Sequence, residues 1–507
     1  MFTPPESFNL ADHILGARLA EGRGSRVAIR TQNGLLTFAD VAAHAARLGH
    51  VLLDAEVQPE QRVMLALPDG PDYVAALFGA LKMGAVVVMV NPDLKPDALA
   101  QLFAYTRPSV AITDATHAAV FRAGAAAAPA CRQVLVTGTP EWDRALAGAS
   151  DTLDTFPTHR DDPAIWLFSG GTTGRPKAVV QTHRAFAYTT ACYAHGVLGY
   201  REDDITIAVP KLFFGYATGS NLLFPFSAGA SCVLFPERCT ADGMFTQIAR
   251  HQPTILVNVP SMVNQMVSHP DAARQDLSSI RFATSAGEAL PVELDRRWRD
   301  LFGVDLLDGL GTAEQWHIFL TNRPGQARPG TIGQVVPGFE VRVCDEEGRD
   351  LPDGETGWLW VKGGARAIGY WQLQEQTERA FRGEWYVSGD LVCRDAEGFF
   401  TYQGRADDLL KVRGKWLSPQ EVESCLLKHP QVKEVAVVGL PDAAGLIAPT
   451  AFVVATDATE ALADALKQWA RDHLDPYKHP RAVYFLERLP RTHLGKVDRG
   501  ALQRREI

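Results

Sequence analysis

Nine residues between two apolar runs carry the densest chemistry in the chain. "WLFSGGTTGRPKAVVQTH" encloses Ser169, Gly170, Gly171, Thr172, Thr173, Gly174, Arg175, Pro176 and Lys177. Such residues bury little, but each offers a bare amide, a hydroxyl or a positive charge, which suits a polyanion such as a phosphate chain. A Walker A loop would end in Gly-Lys-Ser/Thr and open a helix. Here Arg175 and Pro176 precede Lys177 and an apolar run follows, so a P-loop nucleotidase is disfavoured. On composition alone, a surface hairpin remains the competing reading.

Three carboxylates stand out. Asp390 ends "WYVSGD", where a carboxylate could accept both hydroxyls of a ribose; a lone Asp after Gly reads equally well as a turn residue. Glu314 closes "GTAE" and is a hard oxygen ligand of the kind magnesium takes, or else a helix-start Glu favoured by the dipole. Asp308 opens "DGLGTAE". No Ser-His-Asp or Cys-His constellation is found, and the seven cysteines are scattered without a CxxC pair, as in a reducing compartment without disulfides or a zinc site.

The elements that must hold these residues follow from the hydrophobic pattern. "VMLALPDGPDYVAALFGALKMGAVVVMVNP" reads as strand, helix and strand of a parallel sheet buried on both faces. The pattern returns through "TILVNVPSMVNQMVSHP" and "IRFATSAGEALPVELDRRWRDLFGVDLLDGLG", with strands expected at Ile280–Ala283 and Val304–Leu307. "TSAGEAL" and "DGLGTAE" should then lie at strand carboxyl ends, where open α/β sheets bind ligands. From about Arg328 the chain alternates β-branched and polar residues around Asp-Gly turns, as hairpins do. A compact α+β piece follows, with helices near Pro419–Lys428 and Glu460–His473 and strands at Val435–Val438, Ala451–Val454 and Val483–Leu486. The expected class is α/β: a large N-terminal domain of parallel α/β sheets (1–404, with 328–404 a β-rich subdomain) and a small mobile α+β domain (405–507).

At 507 residues more than one domain is required. A net charge of −9 argues against a broad nucleic-acid surface. The N-terminus lacks the basic and apolar regions of a secretory signal, and the longest apolar stretch, Tyr73–Val90, is broken by Lys82 and Gly84. A cytoplasmic protein with no membrane partner is expected.

Five motifs in fixed order, the loop with "DGLGTAE", "WYVSGDLV", "GRADDLLKVRGKWLSPQEVE" and "PRTHLGKVDR", resemble the adenylate-forming superfamily of acyl-CoA synthetases, luciferases and peptide-synthetase adenylation domains. "KLFFGYATGSNLLFPFSAGA" with "DGLGTAEQWHIFLTN" is similar to the benzoate-CoA ligase branch. The resemblance implies an AMP-forming aryl-CoA ligase using ATP, CoA and Mg²⁺ on a small aromatic carboxylic acid. Two alternatives stay open: a stand-alone adenylation enzyme loading a carrier protein, and a non-catalytic nucleotide-binding relative. Oligomeric state is open, a homodimer included.

By the same resemblance, Lys496, Glu314 and Lys177 are catalytic and Glu314 holds the metal. Ser169 to Gly174, Ser285, Ala286, Gly287, Glu288, Asp308, Gly309, Leu310, Gly311, Thr312, Asp390 and Arg405 contact ATP or AMP. Lys211, Phe214, Tyr216, Ala217, Gly311, His317 and Ile318 line the acyl pocket, and aromatic and small apolar groups suit a flat ring. Asp407 is the hinge, and Gly414, Lys415 and Trp416 meet pantetheine. His183 is read as structural. The chain departs from the family at Leu310, where an aromatic is usual, and at Ala313, where a threonine is usual; Thr312, one place earlier, is the nearest hydroxyl.

Overall fold

The computed structural model describes residues 3–169, 176–412, 415–442, 446–491 and 497–505. Gly170, Gly171, Thr172, Thr173, Gly174, Gly414 and Lys496 lie outside the described residues, as does the Trp416 side chain. The chain forms two compact units. The first runs to Leu290 and adds Leu294–Glu340 and Val361–Tyr386; the second comprises Pro291–Glu293, Val341–Trp360 and the chain from Val387.

The first unit is α/β and holds two sheets. In one, strands Val86–Met89, Arg62–Ala66, Val110–Asp114 and Gln133–Thr137 run parallel at the centre and far edge. The antiparallel pair Pro163–Ser169 and Lys177–Thr182 and the short Gly369–Tyr370 complete its seven strands. Its central strand, VVVM, is buried at every position, as a strand covered by helices on both faces must be. The helix Pro71–Lys82 that precedes it begins on a proline and buries every residue from Tyr73 to Leu81.

The second sheet has nine strands. Leu306–Thr312, Phe282–Ser285, Ile255–Asn258, Ile205–Ala208, Ser231–Val233 and Val27–Thr31 are parallel neighbours in that order. The two strands expected at Ile280–Ala283 and Val304–Leu307 sit about two residues further on. Ile280 is instead spent on a turn, its N–H on the Leu277 carbonyl. The Leu306 strand runs long because its end folds back, antiparallel, on His317–Thr321.

Glu340–Cys344, Thr356–Lys362, Trp385–Arg394 and Phe400–Arg405, most of whose residues fall in the second unit, belong to one small sheet. Beyond it, Val432–Pro441, Ile447–Ala455 and Ala482–Phe485 form a three-stranded sheet. Helices Pro419–Leu426 and Glu460–His473 pack on it through Val422, Leu426, Leu462 and Leu466. The first two strands run longer than expected because their pairing continues from Val432 opposite Ala455 to Pro441 opposite Ile447, and the third sits one residue earlier than expected. No helix among the described residues is long and apolar enough to cross a membrane.

His183 stands at the head of helix His183–Thr189, where its Nδ1 accepts the Leu10 N–H at 3.1 Å. Burial presses its pKa down to about 4. An unfolded chain takes up this proton below about pH 6.5 and the fold does not, so stability is full above 6.5 and falls as pH drops toward 4. Replacing the imidazole with an amide that still accepts the Leu10 N–H removes this slope. We expect His183→Asn to flatten the pH dependence of urea unfolding by about 2 kcal/mol between pH 7 and pH 5, read from midpoints at the two pH values.

Candidate active site

The loop expected to hold phosphates springs from the end of a two-stranded ladder, in which Ser169 pairs with Lys177. Beside Lys177 the edge strand Gly369–Tyr370 pairs with Val180 and Val179. The Lys177 ammonium lies 5.0 Å from the centre of the Tyr370 ring, and the Tyr370 hydroxyl donates to Glu314 Oε1 at 2.8 Å. Glu314 is buried. Backbone contacts fix its segment: Ala367 N–H donates to the Glu314 carbonyl at 2.8 Å and Gln181 Nε2 to the Ala313 carbonyl at 2.6 Å. Cation, aromatic ring and carboxylate from three distant segments thus meet. Tyr370 was not foreseen; no pattern in the sequence marks a tyrosine whose only distinction is its partner.

Glu314 is the second residue of a one-turn 3₁₀ helix and not the start of an α-helix. It lies in a short turn, Ala313–Gln315, that folds strand Leu306–Thr312 onto His317–Thr321, with Thr312 opposite His317. The two backbones come so close at Gly311 that a Cβ there would stand 2.2 Å from the His317 carbonyl oxygen. The cost appears just after the turn: Trp316 and His317 adopt φ of 29° and 92°, a region side chains avoid and which clusters at functional sites.

The strained His317 is buried among rings, with Phe224 at 4.7 Å, Tyr216 at 5.4 Å and Tyr193 at 5.5 Å between centres. Its Nε2 lies 3.0 Å from the Tyr216 carbonyl and 3.1 Å from Ser220 Oγ. A carbonyl only accepts, so Nε2 carries the proton. Burial presses the pKa to about 3, leaving a neutral imidazole. Its Nδ1 is then a bare acceptor, buried and without a hydrogen-bond partner. Ser220 and Gly219 join the site unforeseen.

The other acyl-pocket candidates divide. Tyr216 and Ala217 sit in the short helix Gly215–Thr218, which Phe214 precedes; Tyr216 shares a 2.6 Å hydrogen bond with Thr284 Oγ1. Ile318 is buried on the returning strand. Lys211 has its ammonium on the Phe235 carbonyl at 2.8 Å and 3.9 Å from the Phe235 ring centre.

Of the nucleotide candidates, Ser285 pairs with Asp308 across parallel strands. Asp308 is fully enclosed, and burial drives its pKa well above the usual carboxylate range, against the Ser285 hydroxyl and Gly309 amide that lower it. Its Oδ1 has no hydrogen-bond partner. Ala286 is buried and Gly287 takes φ of 90°. Glu288 accepts from the Ser261 N–H and hydroxyl, each at 3.2 Å, and so closes the first turn of helix Pro260–Val267. Leu310 and Thr312 lie on the same strand as Asp308, and the Thr312 hydroxyl is buried without a partner.

In the second unit Asp390 lies within strand Trp385–Arg394, not in a turn, and pairs with Arg405 across the ladder. It is buried. Its Oδ1 accepts from the Tyr402 hydroxyl at 3.2 Å and Arg405 Nη1 at 3.4 Å, and the Ser388 hydroxyl donates to Oδ2. Asp407 follows in the turn Ala406–Asp408, 3.7 Å from Arg405 Nη2. The Lys415 ammonium rests 5.0 Å from the Tyr477 ring centre. Arg499, close after Lys496 in sequence, is clamped on Glu423 at 2.6 and 3.0 Å and on the Val437 carbonyl at 2.8 Å.

Comparison with known proteins identifies the family. The model of AMP-binding enzymes matches residues 17–371, and that of the AMP-binding enzyme C-terminal domain matches residues 421–496. The chain is 38% identical to a benzoate–CoA ligase of Thauera aromatica, over 98% of this chain and 96% of the relative. It is 36% identical to a 4-hydroxybenzoate–CoA/benzoate–CoA ligase of Rhodopseudomonas palustris, over 99% and 94%. Among solved structures, the anthranilate CoA ligase AuaEII in complex with anthranoyl-AMP superposes with a TM-score of 0.95 at 36% identity, covering 99% of this chain and 98% of that one.

A Cβ on Gly219 would stand 2.4 Å from His317 Cδ2. Gly219→Ala should cost about 1–3 kcal/mol in urea unfolding by overpacking. In the double variant with His317→Ala, the loss should fall short of the sum of the two single losses by more than about 0.5 kcal/mol, since the added methyl then enters vacated space.

Proposed function

Because the chain belongs to the AMP-binding enzyme family, we propose that it joins a benzoate-type aromatic acid to CoA, with ATP cleaved to AMP and diphosphate. The acid carboxylate attacks the α-phosphorus of ATP, diphosphate leaves, and an aryl-AMP anhydride forms. The CoA thiolate then attacks the acyl carbon and AMP departs. AuaEII, which this chain resembles, is itself an anthranilate CoA ligase in complex with anthranoyl-AMP, an adenylate of the same kind. One observation carries this reading. A single strained turn sets Glu314, tied to Tyr370, beside His317, nested among aromatic rings. Polyphosphate chemistry and recognition of a flat ring are thereby adjacent.

The roles follow from the chemistry each group can perform. Lys177 and the loop amides carry the phosphate charge. Glu314, a hard oxygen with one lone pair committed to Tyr370, fits magnesium, which takes one or two carboxylates and keeps waters; when bound, that ion would neutralise phosphate charge. The unpartnered Asp308 oxygen and the small residues Ser285 and Ala286 suit the amino group and face of adenine. Asp390, braced by Tyr402, Ser388 and Arg405, is held to receive ribose hydroxyls. Tyr216, Ala217, His317 and Ile318 line the aryl pocket; Lys211, with its ammonium on Phe235, closes its base. Among ring acids, the bare acceptor at His317 Nδ1 favours those bearing an amino or hydroxyl group. Asp407 is the hinge of a mobile domain beginning near Arg405. In the first step that domain brings Lys496 to the α-phosphate; in the second it offers Gly414, Lys415 and Trp416 to the pantetheine arm. No side-chain nucleophile is needed; positioning and electrostatics do the catalysis.

Diphosphate exchange into ATP, run over benzoate, hydroxybenzoates and 2-aminobenzoate, tests the first half-reaction. Thioester formation with CoA against a holo-carrier protein tests the second. Exchange with none of these acids would refute the assignment, and transfer to the carrier alone would favour the carrier-loading alternative. Lys496→Ala should lose about 10²–10³ in adenylation while still converting supplied aryl-AMP to thioester. Asp407→Pro should spare diphosphate exchange and slow thioester formation, both measurable by quenched-flow assays.

A further inference from the structure

Two buried polar side chains outside the site just described converge on one residue of its wall. Strand Arg62–Ala66 lies inside the seven-stranded sheet, next to Val86–Met89, and is followed by Asp69 and by helix Pro71–Lys82, whose first turn holds Tyr73. Asp69 is 5% exposed and Tyr73 fully buried. The Leu212 N–H donates to Asp69 Oδ1 at 2.8 Å, and the Tyr73 hydroxyl donates to the Leu212 carbonyl at 3.0 Å. The Thr218 hydroxyl reaches the same carbonyl. Leu212 lies in a turn, where no strand ladder satisfies its amide and carbonyl.

The turn leads directly into Phe214, Tyr216 and Ala217. The Phe214 N–H returns to the Lys211 carbonyl at 2.9 Å, so a shift at Leu212 passes along one helical turn to Tyr216. Enclosing a carboxylate is costly without partners. Burial lifts the Asp69 carboxyl to about 6, against the lowering effect of Lys211 and the Leu212 amide. An apolar residue would fill this space at lower cost if packing were the only demand.

We propose that Asp69 and Tyr73 are positioning residues for aryl-acid selection: by holding both backbone groups of Leu212 they fix the distance of the Phe214–Ala217 wall from the substrate ring. The inference rests on the reading of that wall as part of the aryl pocket. Neither side chain is expected to touch substrate.

The test compares diphosphate exchange in the full chain and in Tyr73→Phe, Asp69→Leu and Asp69→Asn, using the best aryl acid and a bulkier ring-substituted one. Tyr73→Phe and Asp69→Leu should each raise KM for the best acid about three- to tenfold, as one lost hydrogen bond would. KM for ATP should change less than twofold, and preference for the smaller ring should fall. Asp69→Asn, whose amide oxygen still accepts the Leu212 N–H, should restore both readouts. Unaltered aryl-acid KM and ring preference would overturn the proposal, as would aryl-acid and ATP KM rising together. If Asp69→Leu does not fold, Tyr73→Phe decides alone. Wild-type protein that exchanges with no aryl acid would instead sink the ligase reading itself, and this role with it.

Discussion

In the first unit's site two stretches of backbone run so close that a Cβ on Gly311 would collide with the carbonyl of His317. That contact sets the length of the turn between them, and the turn sets where Glu314 and His317 stand. No side chain larger than hydrogen fits at Gly311, and the residues after the turn accept unfavourable φ angles to complete it. Strain of this kind persists only where the surroundings over-determine it. Here they do: Gln181 and Ala367 grip the backbone on one side, and a ring of aromatics encloses the imidazole on the other.

Burial then decides charge. His317 and Asp308 are both buried with a bare acceptor, an imidazole lone pair in one and a carboxyl oxygen in the other, and burial pushes their pKa values in opposite directions, down for the imidazole and up for the carboxyl. Glu314 is as well buried but has the Tyr370 hydroxyl. In the proposed assignment, these three environments, within one strand and its return, separate the tasks that a ligase must perform on an aromatic acid and a nucleotide.

Much of this was legible in the sequence, for a physical reason. Alternation and apolar runs report burial, so the sheets, the helix Glu460–His473 and the carboxyl-end location of Asp308 could be read directly. Strand limits were displaced where pairing, not hydrophobicity, determines them, as at Ile280. Partners were harder. Tyr370, Tyr402, Ser388 and Gly219 matter through what they touch across long separations, and a sequence records residue types without their contacts. Glu288 illustrates the converse: its motif was visible, while its carboxylate closes a helix from another part of the chain.

The hydrogen bond between Tyr216 and Thr284 has a bearing on redesign. Thr284 belongs to the strand whose next residue, Ser285, flanks Asp308. Truncating Tyr216 to admit larger acids would strip Thr284 of that partner and loosen the adjacent strand end. On the proposed assignment of the aryl pocket and nucleotide contacts, changes of substrate scope made at this tyrosine carry a penalty in cosubstrate affinity, whereas Ala217 and Ile318 offer routes to the same end that leave the hydroxyl pair intact.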